Sequence, residues 1–150
     1  MMDKKAVVDF LTAHAEEYYQ VSDRIWDQPE VCYTEHESAA ILAQALEKEG
    51  FQTEWGLAGI ETAFRCTWGK GKPRIGILAE FDALSHMSQI AGTAQKQPLQ
   101  EGGNGHGCGH NLLGGGSLIG ALGLQQYLKE NHREGTVVFL GCPAEEGGAG

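Results

Sequence analysis

The sequence predicts an α/β fold with a mixed sheet flanked by helices. Three observations point there: helical stripes in the first third, two apolar strand-like runs in the middle, and a further helix–strand pair before the end. At 150 residues the chain has the length of one domain and can bury a core. Its composition is that of an ordinary folded protein, with 41% hydrophobic and 21% charged residues and no low-complexity tract.

Val7, Leu11 and Tyr18 recur at near-helical spacing over residues 3–20, and Val21 and Ile25 prolong the stripe up to Asp27-Gln28-Pro29. Thr34-Glu35-His36-Glu37 has the form of a capping box, with Thr34 at the N-cap and Glu37 three places on. The helix it opens places Ile41, Leu42, Ala45 and Leu46 on one face and closes at Gly50. Residues 61–68 alternate, with Thr62, Phe64, Cys66 and Trp68 on one side, which predicts a half-exposed strand. After the turn at 69–73, residues 74–79 form a continuous apolar run, as expected for a strand covered on both faces. Residues 83–107 lack periodicity, and a loop of that length in a compact domain is commonly functional. A helix over 112–127 and a strand over 136–140 follow. The sequence stops at Gly150 inside a glycine-rich loop, which reads as a truncation.

The formal net charge of -9 argues against a nucleic-acid or anionic-membrane surface, which would need clustered Lys and Arg. No apolar stretch approaches the roughly 18–20 residues of a membrane span. Residues 1–10 lack the hydrophobic run of a signal peptide. Cysteines 32, 66, 108 and 142 have no CxxC spacing and read as free thiols of a cytoplasmic protein, with any special one acting as a ligand or nucleophile.

The 22 glycines crowd into the last third, around Gly105-His106-Gly107-Cys108-Gly109-His110-Asn111. Glycine between Cys108 and His110 lets both side chains turn toward one point, and thiolate with imidazole suits zinc and related divalent ions. No GxGxxG window or GxxxxGK[ST] motif occurs there, so a dinucleotide site or phosphate loop is unsupported. Glu145 and Glu146 follow an apolar strand directly, at the strand end where α/β sheets hold ligands. Two neighbouring anions repel unless a cation holds them. Glu80 and Asp82 stand at the end of another apolar strand.

In this order and spacing EFDAL, GHGCGHN and CPAEEGG resemble the M20 metallopeptidase family, and more narrowly its amidohydrolase branch of aminoacylase-like and auxin-conjugate hydrolases. The asparagine in HGCGHNLLG, the EEGG, the early IWDQPE and GKPRIGILAEFDAL narrow the resemblance further within that branch. It implies a metal-dependent hydrolase of the amide bond between an acyl or aroyl group and an amino acid, with substrates of the p-aminobenzoyl-glutamate, N-acyl amino acid or dipeptide type. By that resemblance Cys108, His110 and Glu146 are metal ligands, Glu145 is the general base, and Asp82 is the acidic residue of the first motif. Glu80 falls where other branches carry a metal-binding histidine and is not taken as a ligand, nor is His106. The resemblance further implies Mn2+ or Zn2+, two ions per site in the full-length family, and a homo-oligomer or a partner subunit. Residues 1–150 then form the N-terminal part of the catalytic domain, with the remaining histidine ligands and a lid or dimerisation domain lying beyond. The competing expectation is a non-catalytic fragment that keeps the fold and binds one metal; a third, a thiol protein using Cys108, is disfavoured by the missing CxxC.

Overall fold

The computed structural model describes residues 1–148. Its elements run α1 (Lys4–Ala13), α2 (Ala15–Trp26), α3 (His36–Lys48), β1 (Gln52–Trp55), β2 (Phe64–Lys70), β3 (Arg74–Glu80), α4 (His110–Glu130) and β4 (Gly135–Cys142), with 3-10 turns at Leu57–Gly59 and Glu145–Gly147. The four strands form one mixed sheet in the order β1-β2-β4-β3. β1 with β2 and β2 with β4 are antiparallel, and β3 runs parallel to β4 with Ala79 opposite Gly141. The α/β class with a mixed sheet and helices is therefore as expected.

The helices cover one face of the sheet. Val137 and Phe139 of β4, Phe64 and Cys66 of β2 and Phe81 meet Leu42, Leu46, Leu118 and Ala121 from α3 and α4. Phe64 lies at the centre, its ring 5.9 Å from that of Phe139 and 6.0 Å from that of Phe81. Gly141 makes room for it, because a Cβ there would stand 2.1 Å from the Phe64 ring. α2 packs across α3 and α4, and α1 packs on α4.

Three local expectations are corrected. The first helical stripe is two helices, broken at His14 (φ -109, ψ 9), which frees α1 to lay Leu11 against Gly123 of α4 while α2 follows its own line. The capping box does not form: the Thr34 hydroxyl donates to Val31 O, and the Glu30 carboxylate instead accepts from the N–H groups of Glu37 and Ser38. A carboxylate from outside the helix thus replaces the N-cap side chain. The helix end is as expected: Gly50 has φ +86, and Phe51 N and Gly50 N return to Leu46 O and Glu47 O, the paired bonds of a Schellman motif. Strand 74–79 is not covered on both faces, because the helices pack on one face of the sheet only and leave Leu78 64% exposed. Lastly, β1 is a strand that the sequence pattern does not announce, because its four residues, QTEW, offer almost no apolar alternation.

The loop 83–107 holds no named helix or strand, as expected. It is tied down by backbone bonds between Leu84 and Gly105 in both directions and from Ser88 N to Gly103 O. Among the described residues no helix is long and apolar enough to cross a membrane.

Candidate metal centre

Parallel pairing of β3 and β4 brings their C-terminal ends side by side. Glu80 closes β3, Asp82 follows it, and Glu145 and Glu146 occupy the 3-10 turn just beyond β4. α4 begins at the same end. Its start lies two residues earlier than the apolar pattern indicates, because Gly109 takes φ +85 and lets His110 be the first helical residue. Gly114 and Gly115 let the helix approach closely: a Cβ at Gly114 would meet Glu80 O at 3.2 Å and one at Gly115 would meet Ser22 at 3.3 Å. The glycines that weaken helix propensity are thus the ones that seat His110 against the strand end.

Asp82 is fully buried and ties the cluster together. Its Oδ1 accepts from His110 Nδ1 at 2.9 Å, and its Oδ2 accepts from the backbone N–H of Glu146 at 2.9 Å. Cys32 Sγ donates to the same Oδ2 at 3.6 Å. With Nδ1 engaged by Asp82, His110 turns Nε2 the other way. There it faces Glu80 Oε2 at 3.3 Å, Glu145 Oε2 at 3.8 Å and Glu146 Oε1 at 3.8 Å. Glu146 Oε1 is buried and has no hydrogen-bond partner. Cys108 completes one donor set with His110 and Glu146, and Glu80 completes another with His110 and Glu145; within each set the ligand atoms lie within 4.8 Å of one another.

The sequence-derived residues Asp82, Cys108, His110, Glu145 and Glu146 all converge on one site. Glu80, left out of the sequence-derived ligand set, sits nearest to His110 Nε2 of the three carboxylates. Its signal was its place at the end of an apolar strand two residues before Asp82. His106 stands apart: it is buried, stacks on Trp26 at 6.3 Å and engages Ile25 O through Nε2. The two adjacent glutamates differ in exposure, with the side chain of Glu146 19% exposed and that of Glu145 44%.

All four cysteines are free. The Cys108 thiol is exposed and is held above its ordinary pKa, first by hydrogen bonding to the Glu146 carboxylate and then by desolvation and the surrounding carboxylates. Burial pushes Cys66 up to about 11, and burial also raises Cys32, with Asp82 adding to it. An electropositive pocket of the kind that activates a nucleophilic thiol is absent around Cys108 among the described residues.

Asp82→Asn is expected to weaken divalent-metal binding about 10- to 100-fold, the usual effect of losing the group that orients a histidine ligand. Asparagine offers one acceptor where Asp82 offers two, so either His110 Nδ1–H or Glu146 N–H would face an NH2 group. Calorimetric titration of the variant with Zn2+ measures this, and unchanged affinity would exclude the positioning role.

Residues 76–150 match peptidase family M20/M25/M40, and the chain belongs to that family. It is 45% identical over 142 residues to one subunit of the p-aminobenzoyl-glutamate hydrolase of Escherichia coli (strain K12), covering 95% of this chain and 30% of that relative. It is also 32% identical to the human Xaa-Arg dipeptidase, over 91% of this chain and 31% of that relative. Among solved structures, an aminohydrolase from methicillin-resistant Staphylococcus aureus superposes with a TM-score of 0.75 at 22% identity, covering 94% of this chain and 35% of that one. A Bacillus subtilis protein, described as a dinuclear metal binding peptidase from the M20 family, gives 0.63 at 23% identity, covering 85% of this chain and 35% of its own. These structures establish the fold. The chain spans less than a third of the length of either of these two curated relatives. The narrower sequence likeness, to the aminobenzoyl-glutamate hydrolase, is as expected.

Proposed function

We propose that this chain is the N-terminal part of the catalytic domain of a metal-dependent hydrolase, cleaving the amide bond between an acyl or aroyl group and an amino acid. The observation that carries the reading is the environment of His110 Nε2. This single ring nitrogen faces three carboxylate oxygens at 3.3 to 3.8 Å, one of them buried without a partner. Three carboxylates gathered at one point repel each other, and a divalent cation at their centre, ligated by that nitrogen as well, turns the repulsion into coordination. The residues therefore fit the metal that the family resemblance implies. Cys108, His110 and Glu146 would hold it, a sulfur, nitrogen and oxygen set compatible with Zn2+ or Mn2+. Glu80 and Glu145 form a second set around the same Nε2, which can ligate only one ion, so a second ion would rest on these two carboxylates with further ligands from outside this chain.

A divalent ion bound there supplies Lewis acidity, polarising the scissile carbonyl and making water easier to deprotonate. The chain's own residues do the rest. Asp82 keeps the Nδ1–H tautomer of His110 and, through the Glu146 N–H, fixes the turn that carries both glutamates. Glu146, the more buried of the pair, is suited to coordination. Glu145, more open to solvent, is suited to accept a proton from the attacking water and deliver it to the leaving amine nitrogen. The likeness to an aminobenzoyl-glutamate hydrolase and to a dipeptidase supports a small N-acyl or N-aroyl amino acid as substrate. The first of these relatives is one subunit of its enzyme, which supports a partner chain here as well. A cytoplasmic setting agrees with the four unpaired thiols.

The rival reading, a non-catalytic fragment that binds metal, draws on the chain spanning less than a third of those relatives. Calorimetry with Zn2+ and Mn2+, followed by an assay on p-aminobenzoyl-glutamate with each metal, separates the two. The expected result is metal binding that His110→Ala abolishes, with metal-dependent release of the aromatic acid. Binding without hydrolysis favours the rival, and absence of metal binding overturns both.

A further inference from the structure

The end of the molecule opposite the carboxylate cluster carries charge of the other sign. Lys70 closes β2, Lys72 and Arg74 follow across the turn into β3, and Lys129 and Arg133 flank the end of α4. These are five of the eleven Lys and Arg residues in a chain of formal charge -9. The length of β3, seven residues or roughly 20 Å, separates them from the metal centre. All five are exposed. Among the described residues Lys and Arg form ion pairs only in Lys5–Asp9 and Arg65–Glu54, so none of the five is neutralised. The acids within the same two segments are Glu130, which accepts from Gln126 Nε2, and Glu134. Positive charge is therefore in excess at this pole.

The fold holds these cations in place. Thr136 donates through N to Pro73 O and through Oγ1 to Gly71 O, both at 2.9 Å, which clamps the β2–β3 turn to the start of β4. Lys129 Nζ lies 5.4 Å from the centre of the Trp68 ring, and Arg133 Cζ lies 5.7 Å from that of Tyr127. Tyr127 also lines a groove of about 700 Å³ between α1 and α4, together with Val7, Val8 and Leu124. Asn131 fixes the start of α1 beside the same pole, accepting from Met2 N and donating to Met2 O. Yet α1 buries no residue, and Val8 is 52% exposed. The carboxylate at the rim of the groove, Asp3, is taken up by Ala6 N as the cap of α1, and Lys4 stands beside it. An apolar groove thus runs into a basic patch, with Tyr127 and its arginine at the junction.

We propose that this surface docks an acidic amphipathic helix of a partner protein, its apolar side in the α1–α4 groove and its carboxylates against Lys129, Arg133 and Lys70. A groove between two helices accepts the apolar face of a third, and complementary charge fixes its position and speeds its arrival. Aromatic and arginine side chains are the groups that anchor such contacts. A nucleic acid fits less well, because five cations at one pole of an acidic protein give no continuous track for a phosphate backbone. A second copy fits less well too. The acidic helix of this chain, α2, already spends its apolar face, Tyr18, Val21 and Ile25, on its own core. The surface uses no residue of the metal centre, so the proposal stands apart from the hydrolase reading.

The probe is a synthetic peptide of about 14 residues, four helical turns, with leucine on one face and glutamate on the other. Its control carries lysine in place of every glutamate. Titration by calorimetry at low and high salt, with NMR of the protein, is expected to show binding of the acidic peptide that salt weakens. Signals of the Trp68 indole and the Val7 and Val8 methyls should shift, and that of the Trp26 indole should not. Lys129→Glu with Arg133→Glu reverses two exposed charges and is expected to weaken binding at least about tenfold, with the melting curve confirming that the variant folds. Val8→Asp, at an exposed position of the groove, is expected to do the same. No binding, equal binding of the lysine peptide, or unchanged affinity in either variant would overturn the proposal. Tighter binding of duplex DNA would assign the surface to a nucleic acid, and self-association in sedimentation that high salt or Val8→Asp abolishes would assign it to a second copy; either result overturns the partner helix.

Discussion

Glu145→Gln is expected to lower the metal-dependent hydrolysis rate about 10²- to 10⁴-fold, the range ascribed to a positioned general base. Metal affinity is expected to hold within a few fold. Glutamine keeps the size of the side chain and one acceptor oxygen but cannot take up a proton. The separation of rate from affinity follows from the difference between the two adjacent carboxylates: both reach His110 Nε2 at 3.8 Å, but Glu146 carries the buried, unpartnered oxygen, while Glu145 is almost half exposed. Glu146→Gln is expected to do the reverse and weaken metal binding first. Steady-state rates at saturating metal, set beside calorimetric affinities for both variants, decide it. A large loss of metal affinity in Glu145→Gln would move Glu145 from base to ligand and favour the set it forms with Glu80.

What the sequence makes legible and what it hides divide along physical lines. Residues whose role depends on local chain geometry are legible. The alternation of Phe64 and Cys66, the Gly50 helix stop and the position of Glu145-Glu146 after an apolar run all follow from spacings of a few residues. Cys108 and His110 are legible for the same reason, with one glycine between them. Residues whose role depends on a distant partner are hidden. Glu30 looks like part of a loop until the start of α3 folds onto it, and Thr34 mimics a cap it does not make. The apolar run of β3 reads the same whether one face is covered or two, because pattern reports tolerance for burial and not which neighbours arrive. His14 breaks a helix whose stripe runs on past it, since the break answers to α4 and not to local propensity. Glu80 is visible as a strand-end acid, but its approach to His110 depends on Gly114 letting α4 close on β3.

Glu35 is the extreme case of such a hidden residue, and its removal is expected to have the largest effect on stability of any substitution outside the apolar core. It reads as the second residue of a capping box, yet its carboxylate is completely buried. One oxygen accepts from Ala144 N at 2.8 Å and the other from the Thr62 hydroxyl at 3.1 Å. Ala144 sits at φ 60, ψ 31, a left-handed conformation that costs an alanine about 1–2 kcal/mol and persists only where surroundings impose it. The bond from its N–H to Glu35 is what imposes it here, and the 3-10 turn with Glu145 and Glu146 starts at the next residue. Glu35→Ala leaves a buried amide and a buried hydroxyl without partners, each costing roughly 1–3 kcal/mol, for a total of about 2–6 kcal/mol. Glu35→Gln keeps one acceptor of two and is expected to lose about half as much. Urea denaturation of the metal-free protein reads the loss as a lower midpoint at unchanged slope. Metal affinity should fall in the same order, Ala more than Gln, because the turn that aims Glu146 loses its anchor. A stability loss with metal affinity intact would show that Asp82, through the Glu146 N–H, holds the turn by itself.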